Sequence, residues 1–143
     1  MKQLTVRYTL PLTFISFALF NKWWYALPFD ARETFYYGFP FPFVGEGWHT
    51  SLSLQIFILE FFIDFITYFL FLFSLIFFIH YYLKKINPNK ILSTVLWVMA
   101  SLIICVAVLI AIDSNHIYYF KRPYDMQILE SGYKFIWMPT EQP

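Results

Sequence analysis

Glu60 and Asp64 are the residues whose type and spacing most demand a chemical explanation. They stand four apart in the otherwise apolar stretch Leu59-Glu60-Phe61-Phe62-Ile63-Asp64-Phe65, and like charges at i and i+4 of a helix repel. Acidic side chains at membrane depth are costly, so the pair calls for compensation by a proton, a cation or a metal ion. Lys22, Arg32, Lys121 and Arg122 are the candidate ion-pair partners; such a pair would fix one helix against another and carry no chemistry. Ser53, Thr67 and Ser74 share the seven-residue spacing of Glu60, and Tyr81 continues it, which draws a polar seam along a helix otherwise rich in Phe, Ile and Leu.

A second constellation comprises Glu46 and His49, in Gly45-Glu46-Gly47-Trp48-His49, together with Asp113, Asn115 and His116. Imidazole and carboxylate groups suit a divalent metal or a proton-handling cluster. The spacing matches no diagnostic motif. H-E-x-x-H and G-x-S-x-G are missing, and the one S-x-x-K, Ser131-Gly132-Tyr133-Lys134, has no accompanying S-D-N or K-T-G. No cofactor is expected. His80 lies beside Tyr81 and Tyr82 and reads as an interfacial residue.

The elements that position these groups follow from composition. Of the 143 residues, 59% are apolar, 24% aromatic and only 13% charged, whereas soluble domains average about 45–50% apolar and about 25% charged. The bilayer is therefore the expected solvent. A formal net charge of +1 leaves no basic footprint for nucleic acid. Cys105 is the single cysteine and sits in an apolar run, so no intrachain disulfide forms.

Three apolar segments approach or exceed the roughly 20 residues a spanning helix needs: about 6–24, 51–83 and 91–112. The third contains no charge between Lys90 and Asp113. The first resembles a signal peptide in Lys2 and Arg7 followed by an apolar stretch, but Asn21-Lys22-Trp23-Trp24 offers no small-residue cleavage site, which favours an uncleaved anchor. A helix over all of 51–83 would reach about 50 Å, beyond the hydrocarbon thickness, so its outer part must project or the helix must tilt.

The turn 84–90 carries Lys84, Lys85 and Lys90 with no acid, which marks it as cytoplasmic. The N-terminus is then cytoplasmic, while the outer loop 25–50 and the tail 113–143 are extracytoplasmic. Small residues (Ser93, Ala100, Ala107, Ala111) and the stripe Thr5, Thr9, Thr13, Ser16 predict inward-facing seams in a three-helix cluster. The loop segment Phe35-Tyr36-Tyr37-Gly38-Phe39-Pro40-Phe41-Pro42-Phe43 disfavours helix and suits an extended interfacial segment. The tail has apolar runs on either side of Glu130-Ser131-Gly132, the pattern of a β-hairpin that needs the loop for support.

The sequence thus predicts an all-α integral membrane protein, a single membrane domain of three transmembrane helices with the second overlong. Phe, Ile, Tyr, Asn and Lys, whose codons are AT-rich, point to a bacterial inner membrane. The expected role is a non-enzymatic accessory or interaction subunit of a larger membrane assembly, its partners being the lipid bilayer and another membrane protein or itself. One alternative is an ion- or proton-handling channel or transporter protomer using Glu60 and Asp64. The other is a membrane metalloenzyme with an outer-face site from Glu46, His49, Asp113 and His116.

Overall fold

The computed structural model describes residues 2–29, 32–48, 52–83, 85–87 and 89–139. It corrects the all-α expectation: the chain is a mixed α/β protein, about 50% helical and 25% strand, with three helices and a six-stranded sheet among the described residues. In chain order the elements are α1 (residues 2–19), β1 (Phe20–Pro28), β2 (Thr34–Tyr37), β3 (Val44–Glu46), β4 (Leu54–Phe57), α2 (Ile58–Leu83), α3 (Lys90–Ala111), β5 (Ile117–Tyr119) and β6 (Met126–Phe135). Two compact units result. A helical unit takes the residues up to Ala18 and Phe65–Ile112, and a sheet unit takes Leu19–Asp64 and the residues from Asp113 onward.

The three expected spans are revised accordingly. The segment 6–24 is helical only to Leu19, and its Phe20-Asn21-Lys22-Trp23-Trp24 end opens β1. The segment 51–83 is helical only from Ile58, because Leu54–Phe57 form β4. The aromatic loop 25–50 carries the rest of β1 with β2 and β3. Short apolar runs do not distinguish helix from strand by periodicity, and aromatic side chains fit a pleated, half-buried surface at least as well. Two helices, Ile58–Leu83 and Lys90–Ala111, with mean hydropathy 2.4 and 2.7, are long and apolar enough to cross a membrane.

In the sheet unit the strand order is β5-β4-β3-β2-β1-β6. Neighbours are antiparallel except β4 and β5, which run parallel with Gln55 opposite Ile117. A parallel pair requires a long crossover connection, here the chain through α2 and α3. The expected tail hairpin is instead one continuous strand, β6, paired along β1 from Phe20 opposite Phe135 to Pro28 opposite Met126 with a bulge at Tyr25/Ala26. Gly132 lies in that strand for close packing and not for a turn: a Cβ there would stand 2.8 Å from the Trp23 indole. Ala26, Tyr36 and Phe57 are fully buried at the centre, with Trp24, Tyr119, Tyr124 and Met126 packed around them.

The helical unit is built around Leu4, Tyr8 and Ile76, covered by Leu12, Ile86 and Leu96. α1 is not uniform, since Thr5–Thr9 form a π-helical turn just before Pro11. The Leu10 N–H donates to the Thr5 carbonyl. Pro11 has no N–H, so neither neighbour satisfies the Val6 carbonyl, and the Trp97 indole N–H of α3 donates to it instead at 3.0 Å. The Asn89 side chain caps α3 by accepting from the Ile91 N–H at 2.9 Å. The Asn89 N–H donates to the Tyr8 hydroxyl at 2.7 Å.

Candidate functional site

Asp64 and Glu60 lie in the sheet unit, on the first turns of α2, and both are buried. Asp64 is fully enclosed; its Oδ1 accepts from the Phe41 N–H at 3.0 Å, while Oδ2 has no hydrogen-bond partner. Glu60 Oε1 accepts from the Arg122 backbone N–H at 3.3 Å, and Oε2 likewise has no partner. Each carboxyl group therefore pins one loop of the unit through a backbone amide, Asp64 the loop after β2 and Glu60 the segment after β5. The Asp64 loop begins at Gly38, whose φ of 147° lies in the region that favours glycine, and a Cβ there would stand 2.8 Å from Asp64 Oδ2 and 2.7 Å from the Phe43 ring. The Trp24 indole N–H holds the same turn by donating to the Gly38 carbonyl at 2.9 Å.

Of the four cations named as partners, Lys22 and Arg122 have other engagements. The Lys22 ammonium lies 3.6 Å from the Trp24 ring centroid and 5.7 Å from that of Tyr133, a cation–π arrangement. The Arg122 guanidinium Nε–H donates to the Tyr124 carbonyl at 3.1 Å, so this residue reaches Glu60 through its backbone alone. Arg32 and Lys121 are exposed. Of the polar seam, Ser53 is buried just before β4, Thr67 is partly buried within α2, and Ser74 is exposed.

The residues of the expected metal site are dispersed in role. Glu46 is exposed at the end of β3, and its carbonyl accepts from the Gln55 side-chain amide at 2.8 Å. Asp113 is exposed and accepts from both the backbone N–H and the side-chain amide of Asn115, at 3.0 and 2.9 Å. The amide beside it holds the Asp113 carboxyl below the usual carboxylate range. His116 Nδ1 accepts from the Leu54 N–H at 3.1 Å, which ties the start of β4 to the chain entering β5. His49 lies outside the described residues. Among the described residues, no group of three or more His, Cys, Asp or Glu converges.

Three features had no signal in spacing. The first is a buried polar chain through the sheet core: the Tyr124 hydroxyl donates to Gln55 Oε1 at 2.7 Å and lies 3.2 Å from the Tyr36 hydroxyl. Burial pushes both phenols above their ordinary pKa. The second is the repair of the Val6 carbonyl by Trp97. The third is a cleft in the helical unit, lined by Lys2, Gln3, Leu4, His80, Lys85, Ile86 and Asn87. Compared with known protein families, characterised proteins and solved structures, the chain matches none.

Proposed function

We propose that the chain is a membrane-anchored interaction protein rather than an enzyme, and that it assembles by pairing β6 of one copy with β6 of a second. Membrane anchoring is supported by the two apolar helices, whose most hydropathic windows are only 11% and 6% buried. A core helix of a soluble protein would be mostly covered. The lysine-rich turn supports a cytoplasmic position for itself and an extracytoplasmic one for the loop and tail, and with them β6.

The observation that carries the assembly is the sheet edge. β6 is a terminal strand of the order, ten residues long, and exposes Ile128, Leu129 and Tyr133 at 51, 46 and 57%. Long apolar edges recruit further strands. The Ile136 N–H donates to the Leu19 carbonyl, so by alternation Lys134, Gly132 and Glu130 direct their backbone groups to β1. Phe135, Tyr133 and Ser131 direct theirs outward.

An antiparallel second copy centred on Gly132 pairs the outward Ser131 with Tyr133. It also sets Glu130 opposite Lys134 twice, in the closer non-hydrogen-bonded positions, with Leu129 opposite Phe135. Sliding one copy four residues either way puts like charges face to face, which is destabilising. The Lys134 ammonium lies 4.5 Å from the Tyr37 ring centroid in the single copy and would turn toward Glu130 of the second, so these two charges would favour one register while discouraging indiscriminate pairing.

The test is disulfide trapping in full-length protein carrying Cys105→Ser. Mixing Glu130→Cys with Lys134→Cys should give a cross-linked dimer that neither variant gives alone. A strictly monomeric protein in mild detergent, or equal cross-linking of Glu130→Cys with itself, would overturn the assignment.

A further inference from the structure

The cleft of the helical unit has a volume of about 330 Å³, within the range of small-ligand sites, which begins near 300 Å³. Among the described residues its charged lining side chains are Lys2 and Lys85, and no Asp or Glu lines it. Gln3 and Asn87 add amide donors. His80 Nδ1 accepts from the Ile86 N–H at 3.0 Å, so the ring carries its proton on Nε2 and is a donor there. Two bonds hold the segment that supplies Lys85 and Asn87: the one from Ile86 to His80, and the one from Asn89 to the Tyr8 hydroxyl. Leu4 and Ile86 form the apolar part of the lining and belong to the core cluster with Tyr8 and Ile76.

We infer that this cleft binds the phosphate of an anionic phospholipid headgroup. Two ammonium groups with no carboxylate to offset them favour an anion, and the apolar part favours a lipid over a free ion because it has a surface for the glycerol and first acyl carbons. The cleft is made from the beginning of α1 and the turn between α2 and α3, the cytoplasmic end of the chain by the lysine distribution, where anionic headgroups are concentrated. This inference rests on the membrane placement proposed above, though not on the β6 pairing.

Full-length protein in mild detergent, incubated with equimolar phosphatidylglycerol and phosphatidylcholine and analysed by native mass spectrometry, should retain phosphatidylglycerol preferentially. Lys2→Gln/Lys85→Gln should weaken that retention roughly thirtyfold, at about a factor of five for each charge, while Lys2→Arg/Lys85→Arg should keep it. Retention unchanged in the Gln variant, or equal retention of both lipids by wild type, would overturn the site. Displacement of the lipid by millimolar inorganic phosphate would reassign the cleft to a free anion and overturn the lipid identity. A carbonate wash of membranes separates the two levels: release of the chain into the wash would overturn the membrane placement, whereas a retained chain without lipid preference would overturn the cleft alone.

Discussion

The two units draw on the same aromatic-rich composition and differ in what their polar side chains bond. In the helical unit, polar side chains mend the backbone: Trp97 donates to the Val6 carbonyl, Tyr8 accepts from the Asn89 N–H, and the Thr13 hydroxyl donates to the Thr9 carbonyl at 2.8 Å. In the sheet unit side chains also serve the backbone, as Asp64, Glu60, Trp24 and His116 do, and in addition they bond one another inside the core through Tyr36, Tyr124 and Gln55. On the membrane placement proposed above, the difference is one of available solvent. A helix with an apolar exterior must meet its own backbone requirements wherever proline interrupts the ladder, while a sheet can bury hydroxyl groups once they are mutually satisfied. Substitutions should therefore damage one unit at a time.

The largest effect is expected in the sheet unit at Gly38→Ala. The added Cβ meets Asp64 Oδ2 and the Phe43 ring at under 3 Å, in a backbone conformation alanine avoids. Strain and overpacking each cost about 1–3 kcal/mol, so a loss of about 3 kcal/mol or more is expected in denaturant titration. Near-ultraviolet circular dichroism should show the sheet aromatics losing their fixed environment while the far-ultraviolet helical signal persists. Simultaneous loss of both signals would erase the contrast between the units.

Tyr124→Phe should cost less, about 1–3 kcal/mol, because it leaves Gln55 Oε1 buried without its donor. The same network sets an alkaline limit. Both phenols have pKa values raised by burial, so the folded state holds these protons more tightly than the unfolded chain. The stabilising balance is intact below the ordinary tyrosine pKa of about 10 and is lost as pH rises beyond it. Absorbance at 295 nm should show two tyrosines titrating only together with unfolding of the sheet unit. Normal titration of all tyrosines in folded protein would contradict the buried network.

Long uninterrupted apolar runs were the legible part of this chain: α2 from Ile58 and α3 to Ala111 follow from segments with few or no charges. β1 was not legible, because Phe20 to Pro28 continues the apolarity of α1 and only pairing with β2 and β6 makes it a strand. Gly132 read as a turn residue because a sequence cannot reveal that Trp23 occupies the place of its missing side chain. Glu60 and Asp64 were recognisable as anomalous from their surroundings. Their backbone partners, Arg122 and Phe41, were not, since nothing in spacing relates residues brought together by sheet topology.

The smallest effect, and the sharpest test of the helical unit, is Trp97→Phe. Phenylalanine keeps much of the apolar surface and removes only the N–H that serves Val6, so a loss of about 1 kcal/mol is expected. The cause assigned to that bond is Pro11, and the assignment can be checked independently. Pro11→Ala restores an N–H and removes the ring that a regular turn cannot accommodate, allowing Leu10 to donate to Val6 as in an ordinary helix. In the Pro11→Ala background Trp97→Phe should then cost close to nothing. The coupling energy from this double-mutant cycle, measured by thermal unfolding in one detergent, should equal nearly the whole effect of the single substitution. Additive losses would mean that Trp97 stabilises the unit by packing, and that the π-helical turn has a cause other than the proline.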